Sequence, residues 1–229
     1  MKLLLTSGGI TNKTIADALR GLIGKPFDES KLVFVPTAAS IEASDKSWLI
    51  NDLVNCINLK WREIDILDIA ATPEEKMWRS RIESADAILF GGGNSFFLMH
   101  WLKKSGLEKL LPELLKTRVY IGISAGSIIA ARNLSLSSGR RRDLFELFFE
   151  EEINSGERAG IEEGLGLADF HVRPHLNSEH FPKMKAEYLG KIAKDLKEPM
   201  YAIDDQSAIE VIDDNKRIVS EGQYLTYNL

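Results

Sequence analysis

One cysteine, Cys56, occurs in 229 residues, which rules out an internal disulfide and any multi-cysteine zinc site. No apolar run approaches the roughly 18 residues that a membrane-spanning helix needs. The opening MKLLLTSGG has too short an apolar stretch for the core of a signal peptide. Positive charge is in deficit, with 29 Lys and Arg against 34 Asp and Glu and a net charge of −5. A nucleic-acid partner is therefore not expected, because that affinity comes from neutralising phosphates. Repeats, low-complexity tracts and linkers are missing too. At 44% apolar residues the chain is too hydrophobic to be disordered. With about 150 residues to a domain, the expectation is one domain over 1–229, cytoplasmic and without a membrane partner.

What is present is an alternation. Short apolar segments rich in β-branched residues, at 2–6, 32–35, 64–67, 85–90 and 119–123, read as strands. Helical patterns at 14–22, 45–58, 96–104 and 107–115 separate them, and another opens at 128–132. Strands that are apolar almost throughout, joined by helix-length connections, indicate a mostly parallel sheet covered by helices on both faces. Further on, strands are expected at 165–172 and 201–203 with a helix at 183–196 between them. Segments 208–212 and 218–221, joined by a polar turn, read as an antiparallel hairpin at the C-terminal edge of the sheet. The fold class is α/β.

Residues 136–164 break the pattern. Arg140, Arg141 and Arg142 could hold a phosphate, but four glutamates follow closely and a solvated turn is the simpler reading. Leu144, Phe145, Leu147, Phe148 and Phe149 are too many large apolar groups to leave wet. They are expected to dock on the domain, cover a site or make a subunit contact, so monomer and homodimer both stay open.

The sharpest chemical signal is G-x-S-x-G over Gly122 to Gly126, between a strand and a helical segment. In that context a serine sits on a sharp turn with its hydroxyl raised above the carboxyl edge of the sheet. The alternative is a tight turn with small residues chosen for packing. At another strand end, Gly91, Gly92, Gly93 and Asn94 form a loop that lets backbone approach a ligand. It matches neither G-x-G-x-x-G nor a P-loop. Backbone N–H groups of Gly92 or Gly93, with that of Ala125, could bind an oxyanion.

A serine needs a base, and the sequence offers four histidines. His100 falls within an apolar helix and His171 within a strand, where packing roles are expected. His175 follows that strand behind Pro174, where catalytic loops sit, and His180 comes second. Asp204 and Asp205 end the next strand, and either could orient the imidazole or merely cap a turn. The chain order Ser, His, Asp differs from the Ser, acid, His order of α/β-hydrolases. A glutamine-amidotransferase chemistry would need a cysteine at the elbow, and Cys56 lies in a helix far from it.

Taken together, Leu3 to Gly9, Gly91 to Phe96, Ile121 to Gly126, Arg173 to Asn177 and Ala202 to Gln206 resemble, in order and spacing, the peptidase E (α-aspartyl dipeptidase) family. Cyanophycinase is a distant relative of that family. The resemblance implies a class I glutamine-amidotransferase-like scaffold and a serine peptidase of short peptides, with no metal or organic cofactor. It implies Ser124 as nucleophile, His175 as base, and Asp205 as acid, with Asp204 one residue away. Gly92, Gly93 and Ala125 would form the oxyanion hole. Family members carry a longer, arginine-containing segment after the histidine, whereas here 178–185 is shorter and holds only lysines. Arg173, Arg132 and Lys183 are the candidate replacements, and Asn94 and His180 are further candidate substrate contacts. Rival readings are a silent peptide-binding protein on the same scaffold and a cyanophycinase-like hydrolase of aspartyl-linked substrates.

Overall fold

A computed structural model of the chain describes residues 1–43, 45–137, 143, 146 and 162–229. The expected contents of 138–142, Leu144, Phe145 and 147–161, including the three arginines and the phenylalanine cluster, lie outside the described residues.

Among the described residues the large sheet has seven strands in the order β3-β2-β4-β5-β1-β8-β9. They are β1 (Lys2–Thr6), β2 (Lys31–Val35), β3 (Glu63–Ile66), β4 (Ala87–Phe90), β5 (Val119–Ile123), β8 (Ser207–Ile212) and β9 (Asn215–Ser220). The first five pair in parallel, and β8 and β9 join antiparallel at one edge. The expected edge hairpin is thus present. A second sheet, β10-β7-β6, comprises β6 (His171–Arg173), β7 (Met200–Ile203) and β10 (Tyr224–Tyr227).

Side chains on the strands alternate between two cores, as the pleat requires. Leu3, Leu5, Val33, Val35, Ile88, Phe90 and Tyr120 point to one face, where Trp78, Ile82, Leu98, Leu102 and Leu111 cover them. Leu4, Leu32, Phe34, Leu89, Ile121 and Ile123 point to the other, under Ile15, Leu19, Leu22 and Cys56. The covering residues of the first face come from α3 (Glu75–Ser84), α4 (Ser95–Lys104) and α5 (Leu107–Leu114). Those of the second come from α1 (Lys13–Ile23) and α2 (Ser47–Asn58). Because both faces are buried, the inner parallel strands read as nearly unbroken apolar runs, unlike the edge strands β3 and β9.

The helix ends are set locally. The side chain of Asn12 accepts the N–H of Ile15 to open α1, and Gly24 closes it in the left-handed region at φ 80°.

Four details differ from the sequence expectation. The α3 helix was not foreseen; its charged face masks a two-residue buried stripe, Trp78 and Ile82. The helix expected at 128–132 is instead a single turn, α6 (Ala125–Ile128), beginning directly after Ser124. Of the strand expected at 165–172 only His171–Arg173 pairs, since the preceding residues spend their N–H groups on the carbonyls of Ile129, Ala130 and Ala131. Finally, β10 completes the small sheet, which packs with α7 (Ala186–Ala193) around Leu176, Leu189 and Met200.

Candidate active site

Parallel register places the site. Thr6 of β1 lies opposite Ile123 of β5, and Phe90 of β4 lies opposite Gly122. The three following segments, Ser7 to Gly9, Gly91 to Asn94 and Ser124 to Gly126, therefore leave the sheet side by side. In the small sheet Arg173 of β6 lies opposite Ala202 of β7, so His175 and the Asp204–Asp205 pair also leave together.

Ser124 is buried at 5% exposure, with φ 48° and ψ −100°, a backbone conformation that non-glycine residues rarely adopt. The turn is held by tight surroundings: a Cβ on Gly126 would meet the Phe90 carbonyl oxygen at 2.0 Å. Only glycine fits there, which accounts for the second Gly of the motif. The Ser124 hydroxyl lies 2.9 Å from Nε2 of His175. On the far side of the ring, Nδ1 lies 2.8 Å from Oδ1 of Asp205. Three residues spread over the sequence form one hydrogen-bonded chain, and Asp205 rather than its neighbour stands against the imidazole.

Asp204 is turned elsewhere. Its oxygens accept from the N–H groups of Gln206 and Gln223 and the hydroxyl of Ser207, which closes the turn between β7 and β8. Burial works to raise the Asp205 pKa. The hydrogen bond and charge of His175, a bond from Ser7 and the charge of His180 outweigh it, holding the carboxyl below its usual value.

The glycine loop sits close by. The position of a Cβ on Gly92 is 3.6 Å from Cβ of Ser124, and on Gly93, at φ 130°, it would overlap the Ala38 carbonyl at 2.1 Å. Among the described residues no acceptor takes the N–H of Gly92, Gly93 or Ala125. Such unspent donors beside a serine suit a developing oxyanion.

The other sequence candidates lie in varied settings. Asn94 is fully buried, and its side-chain oxygen accepts the N–H groups of Phe96 and Phe97 to cap α4. Arg173 is buried, with its guanidinium on the Leu136 carbonyl and 3.0 Å from the Met184 sulfur. Arg132, His180 and Lys183 are exposed. His171 is buried in β6, and burial, more than the charge of Arg173, lowers its pKa while Glu198 acts the other way. Among the described residues no cluster of three His, Cys, Asp or Glu could hold a metal, and no helix is long and apolar enough to cross a membrane.

Four neighbours were not singled out from the sequence. The hydroxyl of Ser7 bonds both Asp205 and the backbone of His175. The ring of Phe181 stacks on His175. Trp48 reaches within 3.4 Å of the Cβ position at Gly92. Asp52, one turn after Trp48 on α2, is 8% exposed, and burial together with the charge of Asp205 pushes its pKa up to about 7. For Ser7 the signal was available: a Ser-Gly-Gly directly after the first strand. That this strand neighbours β5 was not.

Comparison with known proteins shows the family. The sequence model of peptidase family S51 matches residues 3–219. An uncharacterised peptidase of Listeria innocua is 27% identical over 184 residues, covering 80% of this chain and 81% of the relative. Peptidase E of Shewanella oneidensis is 34% identical over 108 residues, 47% of this chain and 43% of that protein. A crystal structure of a Listeria monocytogenes EGD-e protein, provisionally named peptidase E, superposes with a TM-score of 0.73 at 23% identity. It covers 96% of this chain and 98% of its own, a likeness of fold. The family match runs through every segment that converges on Ser124, and the chain belongs to peptidase family S51, the family of the peptidase E proteins.

Proposed function

We propose that this peptidase is a serine hydrolase of short peptides, dipeptides among them, acting through an acyl-enzyme on Ser124. The observation that carries the reading is the unbroken path from the Ser124 hydroxyl through both nitrogens of His175 to Asp205, at 2.9 and 2.8 Å. The Ser124 oxygen attacks the peptide carbonyl while Nε2 of His175 takes its proton. The negative oxygen of the tetrahedral intermediate rests on the N–H groups of Gly92 or Gly93 and Ala125. His175 then returns the proton to the leaving amine, the C–N bond breaks, and the acyl group stays on Ser124. Water, deprotonated by the same imidazole, attacks the ester and releases the acid. Asp205 keeps its charge throughout, holding Nδ1–H and stabilising the imidazolium. Each oxyanion donor of this kind contributes about 100- to 1,000-fold in rate.

A fluorophosphonate tests the nucleophile, because it phosphonylates only an activated serine. The wild-type protein is expected to take up one equivalent, and Ser124→Ala none, with its melting temperature unchanged. Label persisting in Ser124→Ala, or a wild type that takes none, refutes the reading. A dipeptide panel varying the N-terminal residue then sets the substrate class. Preferential cleavage of Asp-X is the outcome expected of a peptidase E-like specificity.

A further inference from the structure

The mechanism above does not use a buried polar side chain that touches both His175 and Asp205. Ser7 is fully buried, and its hydroxyl is bonded on two sides. It donates to Oδ1 of Asp205 at 2.5 Å, the same oxygen that faces Nδ1 of His175, and it accepts the backbone N–H of His175 at 2.7 Å. Its oxygen is 3.4 Å from Nδ1 itself. One hydroxyl therefore joins the carboxylate to the backbone of the very residue that the carboxylate orients.

Two features make this contact more than local packing. First, His175 is held at φ 66°, in the left-handed region, where a β-carbon is strained. A conformation of that kind persists only if neighbours fix it, and the bond to Ser7 ties its N–H. Second, the segment carrying Ser7 is pressed against the acid: a Cβ on Gly8 would come within 2.8 Å of Cβ of Asp205. Gly8 lets the chain approach closely enough for the Ser7 hydroxyl to reach the carboxylate.

We propose that Ser7 is a positioning residue of the hydrolytic site: its hydroxyl locks the Asp205 carboxylate to the His175 backbone and so aims the imidazole at Ser124. It touches no reacting atom. With one proton to give, Ser7 spends it on Oδ1, which leaves Nδ1–H as the donor to the other side of that oxygen. The inference rests on the serine-hydrolase reading, which the wild-type reaction tests independently.

The experiment is inactivation by a fluorophosphonate over a range of concentrations, which separates the limiting rate, kinact, from the binding constant, KI. In Ser7→Ala, kinact is expected to fall about ten- to a hundredfold, as for a misdirected rather than absent base, with KI unchanged and the protein folded by circular dichroism. Ser7→Thr restores the hydroxyl and is expected to recover most of kinact. Wild-type kinact in Ser7→Ala overturns the proposal. So does a folded Ser7→Thr as slow as the alanine variant, or a loss that only parallels unfolding at the assay temperature. If the wild type itself takes no label, the hydrolase reading fails first and is distinguished by that result.

Discussion

The phenyl ring of Phe181 lies flat on the imidazole of His175, with centroids 4.3 Å apart and planes 6° from parallel. Ser124 and Asp205 fix the ring within its plane, whereas Phe181 limits tilting out of it. Stacked aromatic pairs contribute about 0.5–1.5 kcal/mol. Phe181→Ala is therefore expected to slow fluorophosphonate labelling about two- to tenfold, by 1.4 kcal/mol per decade, and Phe181→Tyr to leave it near wild type. Equal labelling rates for the alanine and wild-type proteins count against the contact.

Asp204 and Asp205 are neighbours with separate tasks, and their amide variants should differ in kind. Asp205→Asn replaces the negative acceptor of Nδ1–H with a neutral amide, whose NH2 can also present a donor to the ring. Its labelling rate is expected to drop by about a thousandfold or more. Asp204→Asn weakens a turn held by three bonds. Each bond is worth about 1 kcal/mol, so the melting temperature should fall by several degrees with labelling largely kept. Labelling rates together with thermal melts decide it, and the reverse pattern would move the acid to Asp204.

Asp52 makes stability depend on pH. Its carboxyl titrates at about 7 when folded, against an ordinary value of 3.8. As pH rises from 4, the unfolded chain loses this proton first, so the unfolded state binds fewer protons and stability falls until about pH 7. At 1.36 kcal/mol per unit, the full cost is about 4 kcal/mol. Asp52→Asn removes it. The variant's gain in melting temperature over wild type should be larger at pH 8 than at pH 5, and an equal gain at both would remove Asp52 as the cause.

Cys56 is 1% exposed on α2, and burial together with the charge of Asp52 pushes its thiol up to about 12. Little thiolate exists at pH 8. Intact-mass measurement after iodoacetamide should show no adduct on the folded protein and one in denaturant. Alkylation of the folded chain at a free-thiol rate would contradict the burial.

Four of the five parallel strands were legible because a strand buried on both faces is apolar almost throughout: KLLLT, KLVFV, AILF and VYIGI leave little else to read, whereas the edge strand EIDI is half exposed and carries two acids. Helix α3 was not legible, since most of EKMWRSRIES faces water and two buried residues make a weak period. Ser124 was marked by its glycines: Gly122 answers to the nearby backbone of Gly126 and Ser127, and Gly126 to the Phe90 carbonyl on the neighbouring strand. His175 and Asp205 were marked only by standing at strand ends, and the choice between Asp204 and Asp205 rested on alignment with a family motif.

Sequence by itself determined what depends on neighbours along the chain: strand and helix periods, and the Asn12 and Gly24 caps. Tertiary structure alone decided which carboxylate meets the imidazole, and that Ser7, Phe181, Trp48 and Asp52 surround the site. The reason is physical. Hydrogen bonds and ring contacts act over a few ångströms, and groups up to 198 positions apart, as Ser7 and Asp205 are, come within that range only through sheet register.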